Sequence, residues 1–363
     1  MGKTSLGVSY YGNRIPWRVK DDLAAIRDAG CTYVVHTFSE EDHQFYQPAM
    51  EQIVADSHRL GLEVWMDPWG VGQLFGGETY SALVMKELGL RQVSSRGDLL
   101  PIACPNQPAF REYLLQWIET CARFKPEVLF WDEPHFHIFP EPAGDAEPKL
   151  WACCCAECKK LFEKRFGHPM PACPAGRPAC PCLSLPVRQA GGRQAAGRPD
   201  RLTPELRLFK EDSIVEFSRF LCDATKARGI RAALCLLPFE NSSTVNDWEK
   251  AAAIPSLDII GTDPYWRPRQ PAVDQHVGRA SRRIAELAGR HNKEGQIWIL
   301  NFNIPKGEEG QIRVAIEAAW AAGIRNLAAW SYFGAAYISL KAEDPAAVWK
   351  MLGDCYRDLR KRS

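Results

Sequence analysis

Eight short apolar runs, rich in β-branched and aromatic residues, alternate along the chain with longer stretches of helical periodicity. The runs predicted as strands are Leu6–Tyr11, Tyr33–Thr37, Glu63–Asp67, Val128–Asp132, Arg231–Leu237, Leu257–Thr262, Gln296–Asn301 and Asn326–Ser331. Helices are expected over Val19–Ala29, Pro48–Leu60, Gln107–Phe124, Pro204–Arg228, Val273–Arg290 and Gly310–Ala322. Several stop at a glycine (Gly30, Gly61, Gly229, Gly323), where a left-handed cap fits. Eight β-α units predict an α/β chain folded as one (β/α)8 TIM barrel over residues 1–363, in preference to an open doubly wound sheet. Residues 169–204 break the rhythm. Their Pro, Gly, Ala and Arg content cannot bury enough apolar surface to make a folded unit, so they read as a Cys-rich loop insertion after strand four.

Charge changes the picture only by exclusion. The 363 residues carry 45 Lys and Arg against 44 Asp and Glu, a net charge of +1, so there is no broad basic face for nucleic acid. No run reaches the roughly 18 apolar residues of a membrane span, and the first residues lack the apolar core of an export signal. A cytoplasmic protein without membrane association is expected, and a homo-oligomer is left open. Two counts call for a reason: 12 Trp with 10 Tyr, and 13 Cys.

Chemistry in such barrels sits at the carboxyl ends of the strands. Tyr10 ends strand one, His36 strand two, and Asp67 with Trp69 strand three. Strand four ends in Trp131, Asp132, Glu133 and His135, strand five in Glu240, and strand six in Asp263, Tyr265 and Trp266. Asn301 ends strand seven; Trp330 and Tyr332 end strand eight. Flat apolar sugar faces stack on Trp and Tyr while hydroxyls need fixed carboxylates and amides, so this rim suits a carbohydrate substrate. Asp-Pro and Glu-Pro are also common turns after a strand, an account that covers one such residue better than a whole rim. Gly70-Val71-Gly72 and Gly76-Gly77, too loosely spaced for a phosphate loop, read as a flexible lid.

Strand four carries the sharpest signal. Phe130-Trp131-Asp132-Glu133-Pro134 sets an adjacent acid pair at the end of an apolar strand, where burial and a like charge raise one pKa and leave the other ionised. A raised carboxyl is what a general acid needs. The segment resembles the Asn-Glu-Pro acid/base motif of the large clan of barrel glycoside hydrolases, with Asp132 in place of Asn.

Cys153, Cys155 and Cys158 form C-x-C-x-x-C just after strand four, a spacing that lets thiolates converge on one zinc. Cys104 is the natural fourth ligand; Cys173, Cys180 or Cys182 of the insertion are the alternatives. The order Cys104, Glu133, Cys153, Cys155, Cys158 over residues 100–165 is similar to glycoside hydrolase family 42, the zinc-containing β-galactosidases. That resemblance implies Glu133 as acid/base and a structural Zn2+ on the four cysteines, with no open position for chemistry. Cys31, Cys121, Cys222, Cys235 and Cys355 read as small buried apolar residues.

The family's retaining mechanism needs a Glu at the end of strand seven, and Trp298-Ile299-Leu300-Asn301-Phe302-Asn303 has none. Three schemes stay open. Asp263 or Asp67 could activate water for inversion, at about 6.5–9.5 Å from Glu133. Asp132 could orient a substrate acetamido group, an arrangement that resembles hexosaminidases. Asp263 or Glu240 could act as a relocated nucleophile about 5–5.5 Å away. Asp263 ranks first because strand six sets it beside Tyr265 and Trp266. The expectation is a glycosidase acting on a small glycoside or oligosaccharide, and the alternative from another class is a non-catalytic carbohydrate-binding barrel.

Overall fold

The computed structural model describes residues 4–77, 79–140, 150–171, 202–267 and 272–362. All eight expected strands form: β1 (Ser5–Tyr10), β2 (Tyr33–Thr37), β3 (Glu63–Asp67), β4 (Val128–Asp132), β5 (Arg231–Leu236), β6 (Ile259–Thr262), β7 (Glu294–Leu300) and β8 (Asn326–Trp330). They pair in parallel and close, β1 lying between β8 and β2 with Gly7 opposite Ala328 and Val8 opposite Val34. The result is the expected TIM barrel.

Helices Pro16–Asp28, Gln47–Arg59, Pro108–Phe124, Pro204–Lys226, Val273–His291 and Gly310–Ala321 lie close to the predicted spans. Pro108–Phe124 shows why: proline occupies its first turn, and Phe110, Leu114, Trp117, Ile118 and Cys121 recur at helical spacing to bury one face. The glycines expected to end helices, Gly30, Gly61, Gly229 and Gly323, all take positive φ. A hairpin of Arg91–Val93 with Leu99–Ala103 and helices Ala156–Phe166 and Pro345–Arg362 complete the main elements. Of the expected insertion, residues 172–201 lie outside the described residues. No helix among the described residues is long and apolar enough to cross a membrane.

Strand side chains alternate between the barrel interior and the helical layer. Tyr33, Val35, Trp65, Phe130, Cys235, Trp298 and Trp330 belong to one inner cluster, whereas Leu6, Val8, Tyr10, Val34, Met66 and Trp131 pack outward into the larger one. Toward the amino ends the Tyr33 ring stacks on Trp65 at 4.4 Å between centroids. The Tyr33 hydroxyl donates to Asn326 Oδ1 (2.7 Å) and accepts from Gln296 Nε2 (2.9 Å), which links three strands in the buried interior. Gly7 makes room for this ring, since a Cβ at that position would lie 2.0 Å from it. Large side chains thus fill the lower barrel, and open space is left above them at the carboxyl ends.

Candidate active site

Glu133 is the residue after β4, and its backbone is left-handed, with φ of 48°. A continuing strand would turn successive side chains to opposite sides; this reversal lets Asp132 and Glu133 both face the same cavity. The Glu133 N–H donates to the Cys235 carbonyl (3.2 Å), and His135 Nδ1 lies 2.6 Å from the Glu133 carbonyl oxygen. The turn is therefore held on both sides.

The cavity measures about 130 Å3. Three carboxyl side chains, Asp132, Glu133 and Asp263, and the Cys235 thiol face it, with Phe130, Trp298, Trp330, Tyr265 and Phe302 as aromatic walls. Gly76 and Gly77 close the remaining side. The Gly76 N–H donates to the Asp132 carbonyl (3.1 Å), and a Cβ at Gly76 would lie 2.1 Å from Asp132 Oδ2. A Cβ at Gly77 would meet the Trp69 ring at 2.0 Å. The segment read as a lid is thus packed as a wall. Glu40 fixes it from behind, accepting from the Gly72 N–H (2.7 Å), the Ser81 hydroxyl (2.6 Å) and the Leu83 N–H (2.7 Å).

Burial dominates the electrostatics. It raises Glu133 well above the ordinary carboxylate range, aided by the charge of Asp263 and the hydrogen bond to it. Asp263 is pushed up to about 7 by burial and by the charge of Asp132, against the opposing effect of the hydrogen bond from Glu133. Both carboxyls are thus held above their ordinary range. Each acid keeps a sliver of surface open to the cavity. Glu133 Oε1 and Asp263 Oδ1 are buried without a partner among the described residues.

Of the residues selected from sequence, Glu133, Asp132, Asp263, Tyr265 and Trp330 line this cavity. Trp69 stands beside it, stacked on Tyr11 at 5.1 Å, and Tyr11 in turn stacks on Trp330 at 5.4 Å. Asp67 is fully buried next to Trp65 and Met66 in β3 and is not a wall of the cavity. Others point elsewhere. The Tyr10 and Tyr332 hydroxyls both donate to Asp22 (2.7 and 2.9 Å) in the helical layer. His36 Nε2 pairs with Ser57 Oγ (2.9 Å), and burial holds that ring down to a pKa of about 3. Trp131 sits between Phe75 and Trp117, Trp266 is buried in the outer cluster, and Glu240 is exposed. His135 supports the Glu133 turn, and Asn301 Nδ2 donates to the Ser331 carbonyl (2.7 Å). Cys235, Trp298, Phe302 and Phe130 line the cavity without having been selected. Cys235 was read as a small buried apolar residue; the inward register of Cys235 on β5 and of Trp298 on β7 marks both as barrel-facing.

Comparison with known proteins bears on the fold. No family model and no curated protein matches this chain. Among solved structures, an endo-β-1,4-mannanase from Thermotoga petrophila aligns over 98% of this chain and 77% of its own, with a TM-score of 0.57 and 10% identity. GH5_18 from Streptomyces cattleya, in complex with GlcNAc, aligns over 99% and 81%, with a TM-score of 0.55 and 12% identity. The shared feature is the barrel. At these identities it shows the fold alone, and neither neighbour singles out family 42.

The expected cysteines do meet. The sulfurs of Cys104, Cys153, Cys155 and Cys158, all buried, lie within 4.8 Å of one another. Cys104 leaves the hairpin strand Leu99–Ala103, Cys153 follows an isolated bridge between Ser94 and Ala152, and Cys155 and Cys158 sit at the cap and first turn of helix Ala156–Phe166. Sulfur separations of 3.4 Å (Cys104 to Cys158) and 3.8 Å (Cys155 to Cys104) match the edge of about 3.8 Å that metal–sulfur bonds near 2.3 Å give a tetrahedron. The Val93 and Cys155 N–H groups donate to Cys153 Sγ and Asn106 Nδ2 donates to Cys158 Sγ, each at 3.4 Å, as supports of metal-bound thiolates do. This set could hold a metal ion.

Asp263 gives a stability test. Its folded pKa of about 7 exceeds the ordinary 3.8, so the folded state binds the proton more tightly. The resulting stabilisation is present below about pH 4 and lost as pH rises toward 7. Asp263→Asn should therefore melt higher than the wild type at about pH 8, by roughly 2–4 °C per kcal/mol of relieved repulsion and desolvation, and close to it at about pH 4. Thermal denaturation of both proteins across that range checks this.

Proposed function

We propose that this protein is a retaining glycoside hydrolase acting on a small glycoside, with Glu133 as acid/base and Asp263 as nucleophile. The reading is carried by Glu133 and Asp263 facing one aromatic-lined cavity, where burial raises both carboxyls above the ordinary range. One oxygen of each acid lies within 4.8 Å of the other, shorter than the roughly 6.5–9.5 Å that leaves room for an inverting water. The nucleophile is thereby placed after β6, which offsets the lack of a carboxylate at the end of β7. Barrels with glycosidase activity among the solved structures, the mannanase included, support the substrate class. The cavity of about 130 Å3 is small against the roughly 300–1,000 Å3 of common ligand sites and suits one sugar ring with its leaving group outside.

Substrate binding brings a sugar face onto Trp298 or Trp330, which replaces water around the acids and sharpens their electrostatics. Glu133 gives its proton to the glycosidic oxygen as that bond breaks, and ionised Asp263 bonds to the anomeric carbon. The aglycone leaves as a neutral alcohol. Ionised Glu133 then takes a proton from water, whose oxygen displaces Asp263 and releases the sugar with its original configuration. A second reading rests on one observation, that Asp132 lines the same cavity. There Asp132 would orient a 2-acetamido group acting as the nucleophile, also with retention, and only substrates bearing that group would turn over.

The four-cysteine set is proposed to hold one structural zinc ion, tying the hairpin to the segment after β4. With four thiolate ligands its role would be to fix these loops, outside the chemistry.

On a substrate found by a glycoside panel, proton NMR should show the first-formed sugar with retained configuration. Glu133→Gln and Asp263→Asn should each lower kcat by about 10²-fold or more without abolishing sugar binding. An inverted product overturns the assignment of Asp263. Sugar binding without turnover by the wild type on the whole panel makes the chain a binding module. Turnover confined to 2-acetamido sugars, lost in Asp132→Asn, establishes the second reading.

Metal analysis should find about one zinc per chain. Stripping it with a strong chelator under mild denaturation should lower the melting temperature, and Cys158→Ser should reduce zinc content in the same way. Full stability with no bound metal contradicts the zinc assignment.

A further inference from the structure

We infer that Glu133, Cys235 and Asp263 form a second metal site, one that takes a thiophilic divalent cation such as Zn2+ and leaves its fourth position open to the cavity. The ligands come from three neighbouring strand ends, with Asp132 opposite Cys235 in the β4–β5 register and Leu236 opposite Thr262 in β5–β6. The Cys235 sulfur and one oxygen from each acid lie within 4.8 Å of one another. Around a zinc with bonds of about 2.0–2.3 Å the ligand atoms stand roughly 3.3–3.6 Å apart, a contraction that small rotations of the two acid side chains supply.

Independent of this clustering, the cavity carries polar groups that await a ligand. Glu133 Oε1 and Asp263 Oδ1 are buried and have no partner among the described residues, and the same holds for Nε1 of Trp298, a residue only 2% exposed whose side chain forms a wall of the same cavity. A buried N–H without a partner is a donor that a bound ligand can satisfy. Three protein ligands and one open position is the arrangement of a reactive zinc rather than a structural one.

The binding inference stands apart from the glycosidase reading. Only its consequence rests on that reading: zinc would displace the proton that Glu133 must deliver and so inhibit turnover reversibly.

The test is isothermal titration of the purified protein, with its tightly held metal in place and loose metal removed by dialysis, using Zn2+ alone as titrant. One additional equivalent should bind, and Cys235→Ser and Glu133→Gln should each weaken it by roughly tenfold or more while far-ultraviolet circular dichroism stays unchanged. With Co2+ as titrant, wild type should gain a thiolate-to-cobalt absorption band that Cys235→Ser lacks, a readout that does not depend on any enzymatic activity. Absence of the extra equivalent in the wild type, or equal affinity in folded Cys235→Ser, overturns the inference. Zinc binding by a protein that hydrolyses no glycoside leaves this site standing and sinks the functional reading alone; turnover without zinc binding does the reverse.

Discussion

Two carboxyl groups enclosed by aromatic rings cannot both carry charge without a large desolvation cost, and burial accordingly raises both Glu133 and Asp263 above the ordinary carboxylate range. Much of the surrounding structure serves this arrangement. β4 and β6 deliver the two acids to one side of the closed barrel, and the left-handed residue at 133 brings its side chain inward beside Asp132. Trp298 and Phe130, 5.0 Å apart, supply the low-polarity floor that keeps the acids' pKa values high. A more open site would solvate both carboxylates and leave neither as a proton donor at neutral pH.

The walls depend on segments far along the chain. Glu40, beyond β2, anchors the glycine segment that covers Asp132, and the steric room at Gly76 and Gly77 is what allows that segment to lie so close. The four cysteines secure the hairpin before β4 to the chain that follows it, and Asn106 links the same cluster to Ser213 of helix Pro204–Lys226. Metal at that cluster would stiffen the frame around the acid pair, whereas metal at Cys235 would occupy the pair itself. The two cysteine-containing sites thus have opposite consequences for the same chemistry.

The fold was legible because apolar runs and glycine stops report backbone periodicity directly. The acid pair was partly legible: Glu133 stood out in a motif, and Asp263 by its aromatic neighbours. The remaining pocket was obscured because position at a strand end does not say which way a side chain points. Tyr10, His36 and Trp131 share parity with the outward residues Val8, Val34 and Leu129, while Cys235 and Trp298 share it with inward Ala233 and Gln296. Counting by twos from a known core position would have separated these sets. The same count would have placed Glu133 outward, and no residue type in that stretch announces the positive φ that reverses it. Contacts such as Tyr332 with Asp22, 310 positions apart, depend on closure of the barrel and have no local signature.

The most direct measurement of the central claim is a carboxyl titration by carbon NMR on protein labelled at Asp and Glu side chains, with Glu133→Gln and Asp263→Asn used to assign the two signals. One carboxyl of the pair should titrate near neutrality and the other well above the ordinary range, each shifting when its partner is replaced. Both titrating independently near their ordinary values, between about 4 and 5, would contradict the raised acid pair and with it the proposed chemistry.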